Sequence, residues 1–381
     1  MALSRIDTTN MIEDVPQSKL DNNINFRNII INGDMSIAQR GTSTSSITGS
    51  DYHTVDRFRT AISSLGTFTQ SQSTDVPSGQ GFAKSLKMDC TTADASPSAS
   101  DQLIIQQRIE GQNLQYLKKG TANAESLTLS FWVKSNKTGT YVANILDNDN
   151  SRQISNSYTI NTSNTWEKKT LTFAGDTTGV FGNDNNTSIE LNFWLGAGST
   201  YTSGTLQTSW TSTASADLAV GQVNLADSTS NEWYITGVQL EAGTSASEFE
   251  FLPHDVNLER CQRYFETNMS YGVTPANPVS DADANIYGSA GAFVSSACRL
   301  DHFFLTRKRT SPSMTFYNVN NLSGSVDAGK WQIYDGGWSQ STSATATGAA
   351  NQNMVNIQIN DTFTVGNIYL VAGGLTADAE L

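Results

Sequence analysis

The sequence predicts an all-β protein: a jelly-roll β-sandwich, then a short helix, then a second, smaller β-sandwich. Three observations carry that prediction. From residue 26 onward, short segments rich in Val, Ile, Thr, Phe and Tyr recur between clusters of Gly, Asn, Asp and Ser, the rhythm of sandwich strands and their turns. Residues 255–267 (DVNLERCQRYFET) are the one stretch with helical spacing, Asp255 serving as N-cap and Val256, Cys261, Tyr264 and Phe265 clustering on one side. The chain is 15% charged, against about 25% for an average soluble protein, yet 37% hydrophobic, so real cores can form.

Taken in order, residues 1–24 are polar, lack periodic hydrophobicity and read as an arm that orders on docking. The first sandwich occupies 25–254, with strands expected over 26–32, 57–63, 83–91, 102–110, 127–134, 140–146, 153–160, 166–173, 188–195 and 233–241. The linking helix is placed at 255–268. The second β domain follows at 269–381, with strands over 292–299, 302–306, 313–317, 331–334, 354–360 and 367–372. A length of 381 residues suits two domains, and something over 100 residues suffices for the second.

Side chains alternate across a strand, so parity fixes which residues face the core. In LTLSFWV, Leu127, Leu129, Phe131 and Val133 share one face and Trp132 shares the other with Thr128 and Ser130. In IELNFWL, the same arithmetic sends Phe193 inward and Trp194 outward beside Glu190 and Asn192. In WEKKTLTF, Leu171 and Phe173 point in and Trp166 points out.

Charge and cysteine usage narrow the function. Lys and Arg number 23 against 36 Asp and Glu, a net charge of −13, which argues against nucleic acid as a partner. Eleven acidic residues and no Lys or Arg lie between Lys169 and Arg260, read either as a solvated acidic face or as a cation-capturing surface. Cys90, Cys261 and Cys298 are too widely spaced for a disulfide framework or a zinc site, and read as buried thiols of a protein made in a reducing cytoplasm. No apolar run reaches membrane-spanning length, and the N-terminal residues lack a signal core, so neither membrane insertion nor export is expected.

Motifs for catalysis are weak. The GSVDAGKW segment at 324–331 has phosphate-loop spacing but ends in Trp and leads into a strand, so no helix terminus cradles a phosphate. The DNDNS run at 147–151 starts like a calcium loop, but Arg152 stands where Gly is required, which leaves a turn. His53, His254 and His302 match no metal or catalytic motif. Arg307, Lys308 and Arg309 form the one dense basic cluster, an exposed loop or a contact for an anionic glycan. The outward tryptophans offer a more specific chemistry. An aromatic face stacks on a pyranose ring while Asn and Glu bond its hydroxyls, which nominates Trp132, Trp166, Glu190, Asn192 and Trp194, with Tyr201 and Trp210 nearby. The rival reading is that the long loop 196–230, or a neighbouring subunit, covers this face.

The blocks NFRNIIINGDMSIAQRG (25–41), DRF (56–58), QQRIEG (106–111), SFWVKS, TWEKKTLTFAGDTTG, NFWLGAG, WYITGVQLEAGTSASEFEF and CQRYFE resemble the carbohydrate-binding-module-like jelly roll of tailed-bacteriophage tail fibre, collar and appendage proteins, those of marine cyanophages especially. The likeness covers residues 25–267. It implies a homotrimeric virion protein assembled in the host cytoplasm, its N-terminal arm docked to other virion proteins and its sandwiches binding host surface polysaccharide without catalysis. Two alternatives stay open: a glycan depolymerase tailspike, and a head or neck decoration protein without glycan contact. The resemblance also implies a structural calcium with an Asp on the last strand. Here Thr236 occupies that place, so no cofactor is expected.

Overall fold

The computed structural model describes residues 26–280, 286–319, 327–346 and 350–381; the N-terminal arm reading falls outside these. The strands of the first module are β1 Ser43–Ile47, β2 Asp51–Tyr52, β3 Arg59–Ser63, β4 Thr67–Ser73, β5 Ser85–Thr92, β6 Gln102–Glu110, β7 Leu127–Ser135, β8 Gly139–Asp147, β9 Arg152–Ile160, β10 Glu167–Phe173, β11 Thr187–Ala197, β12 Thr211–Ser212 and β13 Glu232–Ala242. They form two antiparallel sheets, one ordered β1-β4-β5-β13-β7-β10 and the other β12-β9-β8-β11-β6-β3-β2. Between them lies one core, in which the inward residues that parity selects are buried: Leu129, Phe131 and Val133 from β7, Leu191, Phe193 and Leu195 from β11, and Trp233 and Ile235 from β13. Phe131 sits edge-on to Phe193 and to Tyr158, at 5.1 and 5.0 Å between ring centres.

A four-residue helix, α1 (Ser199–Thr202), lies in the loop after β11, and α2 (His254–Gln262) follows the sandwich. The second module comprises β14 Phe265–Thr267, β15 Ile286–Val294, β16 Ala297–Phe303, β17 Ser313–Tyr317, β18 Gln332–Tyr334, β19 Trp338–Gln340, β20 Ser343–Ala346, β21 Met354–Asn360 and β22 Ile368–Asp378. The long β22 makes it a curled sandwich from one strand set: its first half pairs with β15 and β18, its second half with β14 and β17. The turn from one wall to the other is placed by Gly373. A Cβ there would stand 2.1 Å from the indole of Trp331, the buried centre of the second core.

Three sequence expectations are corrected. The helix stops at Gln262 rather than 268, and Asp255 occupies its first turn while Pro253 holds the N-cap position. Phe265–Thr267 instead pairs with Thr376–Asp378, a tertiary ladder overriding local helical spacing. Residues 28–32 are buried, but 26–32 is not a strand, because side chains take its backbone groups: Asn28 accepts from the Ile30 amide, and the Gln107 side-chain amide accepts from the Ile31 N–H and donates to the Ile31 carbonyl. The single strand expected over 292–299 is the hairpin of β15 and β16. The DNDNS run is a turn, as expected, with buried Asp147 accepting from the amides of Asp149 and Asn150.

The two modules meet through a buried polar junction. Arg57 of the first is ion-paired to Glu380 of the second, and Arg40 reaches both Asp378 (3.2 Å) and Glu380 (3.3 Å). The Gln39 amide bridges Asp56 and the carbonyl of Phe265. Burial pushes the Asp56 carboxyl up to about 6, against the pull of Arg40 and Gln39. Arg263 grips Glu110 through two bonds of 2.8 and 2.7 Å. Removing one partner of a buried pair strands the other charge. Glu380→Ala is therefore expected to cost about 3–5 kcal/mol, and the double variant R57M/E380L to regain most of it. Urea unfolding of the three proteins checks this; a double variant as unstable as the single would refute it.

Candidate functional site

Each sheet has an outward face, and the chain treats the two differently. On the β6-β8-β11 sheet, Trp194 does point away from the main core, but it is only 1% exposed. The loop 196–230 folds back over it and forms a satellite core of Trp194, Ile104, Val142, Leu218 and Ala219, with Tyr201 5.2 Å from the Trp194 ring. The loop begins with a close backbone approach: the Gly198 amide donates to the Asp101 carbonyl at 2.8 Å, and a Cβ at Gly198 would meet the Ser98 carbonyl at 1.9 Å. Asn192 is buried and accepts from the Gln106 amide at 3.0 Å, while Glu190 is ion-paired to Arg108 at 2.9 Å. Trp210, half-buried, donates its indole N–H to the Ala174 carbonyl at 2.6 Å and carries the Lys119 ammonium 5.5 Å over its ring. The group Glu190, Asn192, Trp194, Tyr201 and Trp210 is thus not an open sugar platform. The covering loop is the rival that wins, because burying the Trp194 ring outweighs leaving it in water.

The opposite sheet keeps its outward aromatics half-open. Register places Trp132 of β7 between Lys168 of β10 and Thr236 of β13. Trp166, the residue before β10, packs edge-on to Tyr234 at 6.2 Å and donates its indole N–H to Asp75 at 2.9 Å. Lys134 lies between these rings, 4.3 Å from the Tyr234 centre and 5.7 Å from that of Trp166, and ion-pairs with Asp75. The Tyr234 hydroxyl donates to Glu232 at 2.6 Å, and Lys87 pairs with the same carboxylate at 2.7 Å. Burial alone would raise the Asp75 carboxyl, but hydrogen bonds from Lys134 and Trp166 hold it below the usual range. Glu232 is likewise lowered, Lys87 and Tyr234 overcoming its partial burial. An indole held by a fixed ion pair, that of Trp166, with a second indole, Trp132, on the same face and donors and acceptors beside it, can stack on a sugar ring and bond its hydroxyls. Trp132 and Trp166 were legible by parity. Tyr234 follows from the same arithmetic, since Trp233 and Ile235 beside it face inward; Asp75 comes from a distant loop and has no sequence signal.

At the place where the resemblance implies a calcium-linked Asp, the Thr236 side chain is engaged within the chain. The Thr236 hydroxyl bonds the Lys84 carbonyl at 2.8 Å and lies 3.4 Å from that of Asp34, while Asp34 accepts from the Asn257 amide. Among the described residues no group of three His, Cys, Asp or Glu could hold a metal ion. Six of the eleven acids of that stretch are paired with cations from elsewhere among the described residues: Asp176 with Arg152 and Lys119, Glu190 with Arg108, Asp227 with Lys137, Glu232 with Lys87, and Glu241 and Glu250 with Arg27.

No family profile matches this chain, and no curated protein matches it. Among solved structures it is similar to the enzymatically active domain of tailspike protein 4 of bacteriophage CBA120, at 17% identity and a TM-score of 0.29, covering 57% of this chain and 21% of that one. A CBM4 module matches at 14% identity and a TM-score of 0.28, covering 55% of this chain and 97% of that one. A family 11 carbohydrate-binding module from Clostridium thermocellum matches at 10% identity and a TM-score of 0.25, covering 56% and 94%.

The covered ring generates a prediction. Trp194→Ala should lose about 3–5 kcal/mol by opening a cavity. The indole N–H of Trp194 is buried without a partner, so Trp194→Phe should cost far less than Trp194→Ala. Thermal melts of both variants decide it, and an unchanged melt for Trp194→Ala would show the ring to be exposed after all.

Proposed function

We propose that this protein is a non-enzymatic, glycan-binding component of a tailed-phage appendage, and that it takes host surface polysaccharide on the outward face of the β7-β10-β13 sheet. The observation that carries the binding reading is the half-exposed indole of Trp166, locked beside Lys134, Asp75 and Tyr234, with the half-exposed Trp132 on the same face of the sheet. A ring held by an ion pair loses little freedom on binding, which favours stacking. The virion assignment rests on the ordered sequence blocks over 25–267, several of which build the module junction: Gln39, Arg40, Asp56 and Arg57 all come from them. In this reading residues 1–24 dock the protein to other virion proteins, and assembly takes place in the host cytoplasm.

Trp166→Ala should weaken retention on a bound polysaccharide by roughly 1–3 kcal/mol, the range for aromatic stacking, with a much smaller change in melting. Affinity electrophoresis across a panel of bacterial surface polysaccharides, with a reducing-end assay on the same mixtures, tests both halves. Retention without new ends supports a binder; new ends would identify a depolymerase, and no retention on any member would remove the glycan from the account.

The trimer finds support in the second module. On its outward face Ile368 and Leu370 of β22 lie beside Tyr334 of β18, and Phe293 of β15 extends the same apolar surface. Ile368 is 74% exposed, an unusual state for such a side chain within a sheet. Sedimentation equilibrium should give three chains per particle, and Ile368→Glu should shift the protein to monomer. A wild-type monomer at micromolar concentration would contradict the assembly.

A further inference from the structure

Two adjoining cavities, of about 380 and 400 Å³, run along the junction of the modules and share Arg263 and Gln112 as their common wall. Their cations are unevenly matched. Arg263 is spent on Glu110. Arg260, in the first cavity, reaches only the Asn28 carbonyl, at 3.5 Å. In the second, Arg307 donates to the side-chain amide oxygen of Gln352 through bonds of 2.9 and 2.6 Å, and Arg309 to the main-chain carbonyls of Asn185, Ala379 and Glu380. None of these three guanidinium groups forms an ion pair with a described carboxylate. Asp184 stands on the rim of the furrow, with its oxygens taken by the amides of Asn186. Each cation is therefore oriented by neutral oxygens and has no described carboxylate in direct contact, although Glu250 acts on Arg260, and Glu110 and Glu380 on Arg309, from further away. The first cavity adds apolar walls, Ile109 and the half-exposed ring of Tyr116.

We infer that this furrow binds an acidic saccharide, an oligouronate of which one ring lies against Tyr116 while the carboxylates of two different units meet Arg260 and Arg307. A guanidinium fork matches a carboxylate in plane, and an aromatic wall beside it selects a ring over a bare anion. The site is separate from the Trp132–Trp166 face and stands whether or not that face binds sugar.

Calorimetry with oligogalacturonate, neutral galacto-oligosaccharide and inorganic sulfate on the full chain tests it. Oligogalacturonate is expected to bind more tightly than either control. Arg260→Gln and Arg307→Gln should each weaken it roughly tenfold or more, as loss of a charge-assisted contact does. Lys330→Gln, a charge removed elsewhere, should leave it unchanged. Arg307 is exposed, so its variant tests the site even if Arg260→Gln fails to fold. Absent binding of oligogalacturonate, equal affinity in the Arg307 variant, or sulfate binding as tightly as the oligosaccharide would each overturn the inference.

Discussion

The buried ion pair between Arg57 and Glu380 is the constraint around which the two modules are arranged. Both side chains are almost fully shielded, so neither charge can be left alone. Arg57 adopts a left-handed backbone (φ 71°), stacks its guanidinium 3.5 Å from the Tyr264 ring and donates to the Arg108 carbonyl. A strained backbone persists only where its surroundings over-determine it, and these surroundings come from β6, from the end of α2 and from the end of β22. Because Glu380 must reach Arg57, the register of β22 is fixed against β14. Tyr264 and Arg263 are thereby set on Glu110, and the furrow between the modules takes its shape.

Covering and exposure divide the labour of the sandwich. The chain seals one outward face with its own loop, turning Trp194 and its neighbours into a second small core. Sealing suits that face because its side chains are mutually paired, Asn192 with Gln106 and Glu190 with Arg108, and have little left to offer a ligand. The other face keeps two indoles half-open and holds that of Trp166 still with the Lys134–Asp75 ion pair. A surface built this way is rigid before a ligand arrives, which is what selective binding of a flexible polysaccharide requires.

Which side chains of the first module face its core is legible because parity there is strict: LTLSFWV and IELNFWL announce their inward faces residue by residue. The sequence could not say what lies above an outward residue, since Trp132 and Trp194 share the same parity and only tertiary packing of residues 196–230 separates them. The N-terminal block looks like a strand because NIIIN is apolar and β-branched, whereas its backbone is satisfied by the side-chain amides of Asn28 and Gln107. The overlong helix has the same origin. Phe265 and its neighbours keep helical spacing, but the ladder to Thr376–Asp378 is worth more than one further turn. Of the basic cluster at 307–309, which the sequence offers as an exposed loop or a contact for an anionic glycan, Arg307 is exposed, Lys308 is buried on Glu266 and the Gln262 carbonyl, and Arg309 is held by carbonyls of the chain's last residues, which no local pattern foretells.

The central claim is that sugar meets the open face and not the sealed one. Indole N–H resonances report this directly, since each tryptophan gives its own signal in a two-dimensional nitrogen–proton spectrum. On titration with gluco-, xylo-, galacto- and manno-oligosaccharides, the account predicts that the signals of Trp132 and Trp166 move with a ligand that binds while those of Trp194 and Trp233 stay fixed. Movement of the Trp194 signal with those of Trp132 and Trp166 unchanged would contradict it.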